Sequence, residues 1–246
     1  MKNKKYTTNL FRSLLCLWVS LLVWNTTVIA SVVEKELPLQ RGDYLSVEYI
    51  DILKQTRSPI TAGKHTDYRQ YITIGFSAVH KQIYIRGMGS FHEGLEGLVT
   101  DKSLNIVSDK FGETPAKIKA LSRFEFSIAV EGKVLVYRYV GNLQQFIARH
   151  TLVGNYKDSS GGQYDLTEDG KATFPDRVFH YKVATDYVMN GFDTFFEVLP
   201  QGGGASYGFK FERNELQLFM MDGPMGDEPD DKPFVTLTRR NQEVMK

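Results

Sequence analysis

Residues 153–183 read VGNYKDSSGGQYDLTEDGKATFPDRVFHYKV. Short segments in this stretch alternate apolar and polar side chains, and clusters of Gly, Ser, Asp and Pro separate them. That pattern is typical of half-buried β-strands joined by turns, and Gly170 supplies the left-handed backbone that a tight turn needs. The predicted strands are Val153–Lys157, Gln163–Leu166, Lys171–Phe174 and Val178–Val183. The stretch therefore predicts an antiparallel meander.

The same alternation continues to the C-terminus of the chain. It predicts four more strands, which are Thr194–Leu199, Tyr207–Phe211, Leu216–Met220 and Phe234–Thr238. The glycine run at 202–204 lies between two of them and is typical of a hairpin tip, since no helix or Lys-Ser/Thr pair follows it. Eight short antiparallel strands indicate a barrel or a sandwich.

The N-terminal half also carries strand patterns, with fewer helix signals. Predicted strands lie around Ile72–Phe76, Ile83–Ile85, Leu95–Val99 and Leu104–Val107, and a hairpin joins Phe124–Val130 to Val134–Val140. One short helix is predicted over Val47–Lys54, with Ser46 as its N-cap and Pro59 beyond its end. A second helix, over Asn142–Arg149, is predicted to connect two lobes. The fold class is thus mainly β, with a β-rich lobe over 31–146 and an antiparallel barrel over 147–246.

A short motif recurs at the start of both predicted lobes. Gly42-Asp43-Tyr44 opens the first, and Gly154-Asn155-Tyr156 opens the second. Two explanations remain open: an internal repeat, or two strands that begin after a glycine by chance.

Residues 148–240 resemble the bacterial lipocalin-like, calycin-type β-barrel domains. The resemblance rests on the runs Leu152–Tyr156, Gly162–Lys171, Tyr207–Phe211, Asn214–Leu218 and Val235–Arg240. In such domains a Gly-x-Trp strand opens a meander of eight antiparallel strands, and a late arginine packs across the barrel floor. Gly154 and Tyr156 fall at the Gly and Trp positions, with Tyr in place of Trp, and Arg239 or Arg240 is the late arginine. The resemblance implies a barrel architecture.

Residues 1–30 have the layout of a secretory signal peptide. Lys2, Lys4 and Lys5 precede an apolar core from Leu14 to Trp24, and Ala30 is a small residue at the expected cleavage point. The alternative is an uncleaved membrane anchor, because no charged residue occurs from Ser13 to Val33. We expect an exported protein, periplasmic or secreted, that starts at Ser31. Because Cys16 is the only cysteine, the exported chain would hold no disulfide.

Charge and motif content exclude several function classes. The first thirty residues hold four basic and no acidic residues, so their removal changes the formal net charge from +1 to −3. Such a chain lacks the basic surplus that nucleic-acid binding requires. It has no histidine pair at helical spacing and no calcium-loop pattern in the acidic stretch Asp222–Asp231. We therefore expect a protein that is not an enzyme, with no metal site and no cofactor.

Two functions remain. The first is binding of a small apolar or amphipathic molecule inside the barrel, since an eight-stranded barrel is wide enough for packed side chains or one small ligand. The many Phe and Tyr rings would then line the ligand site, or they would simply fill the core. The second is an envelope protein-interaction or structural module that uses a sheet edge or the acidic hairpin. Membrane contact is expected only through an uncleaved signal segment. Candidate ligand-binding residues are polar groups predicted in strands or at a bend: Arg86, His92, Tyr137, Arg138 and His180.

Overall fold

The computed structural model describes residues 39–66, 71–77, 82–88, 96–99, 106–108, 117–130, 132–185, 192–222 and 228–240. The predicted signal peptide, His92 and most of the acidic connection at 223–227 lie outside these residues. Within them the chain is mainly β, as predicted, with two antiparallel sheets and three short helices. No helix in this part of the chain has the length and apolar character needed to cross a bilayer.

The N-terminal sheet has eight strands in the order β5-β4-β3-β2-β1-β8-β7-β6. Its first strand therefore lies beside its last, and all of its neighbours are antiparallel. The strands are β1 (Gly42–Ser46), β2 (Tyr71–Ser77), β3 (Gln82–Met88), β4 (Glu96–Val99), β5 (Ile106–Ser108), β6 (Lys117–Ser122), β7 (Glu125–Val130) and β8 (Lys133–Gly141). No bounds were predicted for β1 or β6, although Gly42-Asp43-Tyr44 was expected to open the first lobe.

The C-terminal sheet closes into an eight-stranded antiparallel barrel. Its strands are β9 (Gly154–Lys157), β10 (Gln163–Leu166), β11 (Lys171–Thr173), β12 (Val178–Val183), β13 (Asp193–Glu197), β14 (Ser206–Glu212), β15 (Glu215–Asp222) and β17 (Val235–Arg239). Each pairs with the next, and β17 pairs with both β15 and β9. The short β16 (Glu228–Pro229) pairs with β15 alone. All eight predicted strands are confirmed, with ends that differ by at most two residues.

The recurring Gly-x-Tyr motif marks equivalent positions in the two sheets. It lies in β1 and in β9, which are the strands that pair with both the second and the last strand of their own meander. The Tyr44 hydroxyl donates to the Gln40 carbonyl at 2.5 Å, and the Tyr156 hydroxyl donates to the Leu152 carbonyl at 2.8 Å. Both rings are fully buried. The two tyrosines thus make the same contact, four residues back along the chain.

Three helices lie between or after the strands of the first sheet. The first, α1 (Val47–Thr56), begins at the predicted N-cap Ser46, whose hydroxyl accepts a hydrogen bond from the Tyr49 amide. The second, α2 (Pro59–His65), was missed because Pro59 was interpreted only as a stop; proline is also favoured in the first turn of a helix. The third, α3 (Leu143–His150), has Asn142 as its N-cap and confirms the second predicted helix.

The helices and the barrel share one hydrophobic core. Tyr49, Ile50 and Leu53 of α1 and Ile147 of α3 are buried in the same cluster as the inward-facing residues of the barrel. The side chain of Gln144 bonds to both backbone groups of Val183, which ties α3 to the end of β12. The helices therefore cover one end of the barrel, which we call the helix end, and the opposite end is the open end. The predicted boundary between residues 146 and 147 falls inside α3.

Candidate functional site at the open end of the barrel

The predicted ligand-binding residues with described side chains lie in two different sheets. Tyr137 and Arg138 are neighbours in β8 of the N-terminal sheet; the Tyr137 ring is buried and stacks on Phe126, and Arg138 forms an ion pair with Glu125. His180 is exposed on β12 of the barrel, and Arg86 lies in β3. His92 is outside the described residues. A ligand role for these residues stays a prediction.

The interior of the barrel is filled by aromatic rings. Phe174, Phe179, Phe195, Tyr207 and Phe209 are all buried. The centroids of Phe195 and Tyr207 are 4.9 Å apart, and those of Phe174 and Phe179 are 5.0 Å apart. Such ring contacts at 4.5–7 Å belong to a close-packed core. Of the two roles open to these rings, core packing is the one that the structure supports.

An arginine from outside the barrel closes the helix end. Arg57 follows α1 in a left-handed conformation, with φ of 56°, and its guanidinium donates to the Thr151 carbonyl. The same group lies 3.4 Å from the Tyr156 hydroxyl, and its Cζ is 3.5 Å from the centroid of the Phe211 ring. This is a close cation–π contact. Arg57 therefore contacts the tyrosine that opens the barrel.

The two arginines that the resemblance placed at the floor lie on the rim. Arg239 is the cross-strand partner of Tyr156, but its guanidinium donates to the Val153 carbonyl on the exposed surface. Arg240 donates to the side chain of Gln163, and it is also exposed. The Arg57 contact was not predicted, because Arg57 comes from a distant part of the chain and only the three-dimensional structure brings it to the barrel.

Asp193 provides a second link between the helices and the barrel. Its Oδ1 accepts a hydrogen bond from the Ile60 amide, at 2.8 Å, in the first turn of α2. Burial raises the pKa of the Asp193 carboxyl to about 6, although hydrogen bonds from Ser58 and Ile60 lower it in part. This carboxyl anchors the helix end of the barrel.

At the open end, Arg177 lies over a group of rings. The tight turn between β11 and β12 carries it, and its Cζ is 5.2 Å from the Phe179 centroid, 5.5 Å from Tyr207 and 5.9 Å from Phe174. Its Nη1 is 2.9 Å from Oε1 of Glu197, and its Nη2 donates to the Tyr207 hydroxyl. We call Phe174, Phe179, Tyr207 and Glu197 the aromatic cage.

The Glu197 carboxylate of the cage is held in place by two further groups. Its Oε1 accepts from the Tyr207 hydroxyl, and its Oε2 accepts from the Ala205 amide, both at 3.3 Å. Its side chain is only 11% exposed, whereas that of Arg177 is 40% exposed. The carboxylate is thus a fixed part of the barrel end, and the arginine is its solvent-facing partner.

Beside the cage, the barrel is closed by a very short ladder. The paired residues of β9 and β17 are Lys157 with Thr238 and Tyr156 with Arg239, and the Arg240 amide also donates to the Asn155 carbonyl, whereas β14 and β15 pair over six positions. An open cavity of about 760 Å³ lies beside this ladder. We call this cavity, between residues 157–161 and 233–238, the seam cleft; Tyr164 and Glu215 also line it.

One wall of the seam cleft is a rigid polar loop. Oδ1 of Asp158 accepts hydrogen bonds from the amides of Ser160 and Gly162 and from the Ser160 hydroxyl, at 2.7–2.8 Å. These bonds, led by the Ser160 hydroxyl, lower the pKa of Asp158. Gly162 is required here, because a Cβ at this position would lie 2.5 Å from Oδ2 of Asp158. The loop therefore needs no rearrangement to present its polar groups.

The other wall is apolar and continues into the cage. Phe234 is 45% exposed, and its ring centroid is 6.0 Å from that of Tyr207. Tyr164, on the opposite side of the seam cleft, lies 5.0 Å from Phe174. The seam cleft and the aromatic cage thus form one continuous surface at the open end. The sequence signal for it was the aromatic content of these segments, but the pairing of distant strands was needed to assemble it.

Comparison with known proteins adds no assignment to this geometry. The sequence matches no protein-family profile and no curated protein. Among the residues with described side chains, no group of three His, Cys, Asp or Glu is placed to hold a metal ion.

Proposed function

We propose that this chain is an exported, non-catalytic, lipocalin-like protein that binds a small amphipathic molecule in the seam cleft. The observation that carries the proposal is the cleft itself, which joins an exposed aromatic wall to a preformed polar loop. Its volume of about 760 Å³ lies within the usual range for small-molecule sites.

We place the ligand in the seam cleft rather than in the interior of the barrel. The inward-facing rings already occupy the interior, and opening space among them would break close-packed contacts. The seam cleft is open without any such change. Its apolar wall, formed by Phe234 and Val235, would contact the hydrocarbon part of the ligand. The hydroxyls of Ser159 and Ser160 and the ammonium of Lys157 would contact the polar part.

Binding is tested with the neutral probe N-phenyl-1-naphthylamine, whose fluorescence rises in an apolar site. Phe234→Ser removes the exposed ring of the cleft, and we expect it to weaken probe binding by about tenfold, because contact with a Phe ring is worth about 1.5–3 kcal/mol when complete. The matched control is Phe196→Ser, since Phe196 is 38% exposed on the outer face of β13, away from the cleft. Equal affinities of both variants and the wild type would refute the site.

Export is tested on the same protein, expressed from its full sequence. The proposed signal cleavage after Ala30 predicts a polypeptide that starts at Ser31 in the periplasmic or secreted fraction. Native mass spectrometry of that fraction is expected to show the polypeptide with an added small-molecule mass, and this mass is expected to be lost on denaturation. An intact N-terminus in the membrane fraction would instead indicate an anchored chain.

A protein-interaction role is the second candidate, and one surface favours it. Val178 of β12, Phe196 of β13 and Val198, which follows β13, are exposed apolar side chains on adjacent segments, and the Val198 amide donates to the His180 carbonyl. Exposed apolar patches of this kind are common at protein interfaces. Phe196→Ser would then abolish crosslinking to an envelope protein, whereas Phe234→Ser would not. The two variants therefore separate the two functions.

A further inference from the structure

The aromatic cage has the composition of an organic-cation site, and a cation of the chain itself occupies it. We infer that the cage binds the cationic group of an alkylammonium or alkylguanidinium ligand, which takes the place of Arg177. The inference rests on the proposed function for the hydrocarbon part of that ligand, which would lie in the seam cleft.

Three rings and one carboxylate define the preference of the cage. The Arg177 guanidinium carbon lies within 6 Å of the centroids of Phe174, Phe179 and Tyr207, which is the range of favourable cation–π attraction. Glu197 supplies the opposite charge at 2.9 Å. Aromatic rings around a carboxylate favour weakly hydrated organic cations, and they disfavour anions.

Arg177 is the part of this arrangement that can leave. Its side chain is 40% exposed, so the guanidinium can turn into solvent, which would uncover the rings of the cage and the Glu197 carboxylate. Glu197 stays behind, because hydrogen bonds from Ala205 and Tyr207 fix it and only 11% of its side chain is exposed. A largely buried carboxylate without a partner is costly, so the vacated cage favours a second cation over an empty site.

The charge around the open end supports the same ligand class. Of the charged residues that line the seam cleft, Asp158 and Glu215 are acidic and Lys157 is basic. Displacement of Arg177 would add the Glu197 carboxylate to the acidic groups. A surplus of one sign raises the local concentration of ligands of the opposite sign.

The aromatic cage and the seam cleft lie close enough together for one amphipathic cation to contact both. Tyr207 belongs to the cage and lies 6.0 Å from Phe234, which forms the apolar wall of the cleft. Phe174 makes the equivalent link to Tyr164, at 5.0 Å. A ligand with its cationic group in the cage can therefore extend its hydrocarbon part along Phe234.

The test compares two probes of equal chain length, octyltrimethylammonium and octanoate, by calorimetry on the full chain. We expect Arg177→Ala to bind octyltrimethylammonium about tenfold more tightly than the wild type, because the competing guanidinium is gone. Adding Glu197→Gln to Arg177→Ala is expected to remove the gain. Octanoate is expected to bind more weakly than the ammonium probe to both proteins. The control is Arg149→Ala, which removes an exposed arginine paired with Glu168 at the helix end.

A second measurement tests the inference even if Arg177→Ala is less stable than the wild type. Ethylguanidinium is then expected to raise the melting temperature of Arg177→Ala and to leave that of the wild type unchanged. Weaker binding of the ammonium probe by Arg177→Ala, or no rescue by ethylguanidinium, would overturn the inference. If Phe234→Ser weakens octanoate binding while Arg177→Ala binds octyltrimethylammonium no more tightly than the wild type, ligand binding in the seam cleft is supported and cation binding in the cage is refuted. If Arg177→Ala binds octyltrimethylammonium more tightly and Phe234→Ser leaves the affinities for both probes unchanged, cation binding in the cage is supported and ligand binding in the seam cleft is refuted.

Discussion

The guanidinium carbon of Arg57 lies 3.5 Å from the centroid of the Phe211 ring. Arg57 ends α1, and Phe211 is in β14, so this contact joins the helices of the N-terminal half to the barrel. The same side chain donates to the Thr151 carbonyl and contacts the Tyr156 hydroxyl. Arg57 thus links α1 to the helix end of the barrel.

Arg57→Ala is expected to lower the free energy of unfolding by about 2–3 kcal/mol, through loss of the cation–π contact and of a charge-assisted hydrogen bond. Urea unfolding measures the change. The control Arg123→Ala removes an exposed guanidinium that lies 5.8 Å from the Phe124 centroid, and we expect a loss below about 0.5 kcal/mol. Equal losses in the two variants would show that Arg57 does not hold the barrel.

Asp193 is expected to make stability depend on pH between about 4 and 6. Burial raises its pKa to about 6 in the folded state, above the ordinary value of 3.8, so the folded protein holds this proton more tightly than the unfolded chain. The protonated carboxyl favours folding at low pH, and stability falls as pH rises through the folded pKa. Asp193→Asn removes this dependence.

The comparison is the free energy of unfolding of Asp193→Asn minus that of the wild type, at pH 4 and at pH 7. We expect this difference to be more favourable to the variant at pH 7 by on the order of 2–3 kcal/mol. Other carboxylates titrate in both proteins, so their contributions cancel. A difference that does not change with pH would contradict burial of the Asp193 carboxyl.

Tyr44→Phe and Tyr156→Phe are each expected to cost about 1 kcal/mol of stability, because each removes a hydroxyl that donates to a backbone carbonyl. The two hydroxyls make the same contact in β1 and in β9, so similar losses are the signature of equivalent positions. Denaturant unfolding of both variants measures the loss of stability in each. A loss in only one variant would show that the Gly-x-Tyr recurrence is not equivalent in the two sheets.

Phe195→Ala is expected to destabilise the fold by about 3–5 kcal/mol, because it leaves a cavity among the rings inside the barrel. At a temperature where the variant is still folded, its affinity for N-phenyl-1-naphthylamine is expected to match that of the wild type. Loss of probe binding in this variant would place the ligand inside the barrel after all.

The period-two alternation of the sequence was enough to predict the barrel strands, because each buries one face. β10 and β12 were predicted with their observed ends, since turn residues flank them on both sides. No bounds were predicted for β1, although the Gly42-Asp43-Tyr44 motif was expected to open the first lobe, and β6 was missed because its apolar alternation is weak. Pro59 was interpreted as a helix stop, although its fixed φ also suits the first turn of α2.

The candidate site could not be predicted from the sequence, because it depends on strand register. The sequence predicted Arg177 in a turn and Glu197 in a strand. Only the pairing of β12 with β13 and of β13 with β14 brings Glu197 beside Tyr207. A shift of one residue would turn Glu197 to the outside of the barrel. The seam cleft likewise follows from the two-pair ladder between β9 and β17, which no local pattern encodes.

The most direct test of the account is photoaffinity labelling of the full-length protein with an alkyl diazirine, followed by peptide mapping. Binding in the seam cleft predicts labels on the peptides that contain residues 157–161 and 233–238, and the labels are expected to be lost in Phe234→Ser and kept in Phe196→Ser. Labels confined to the outer face of β12 and β13, or to the N-terminal sheet, would contradict binding at the seam.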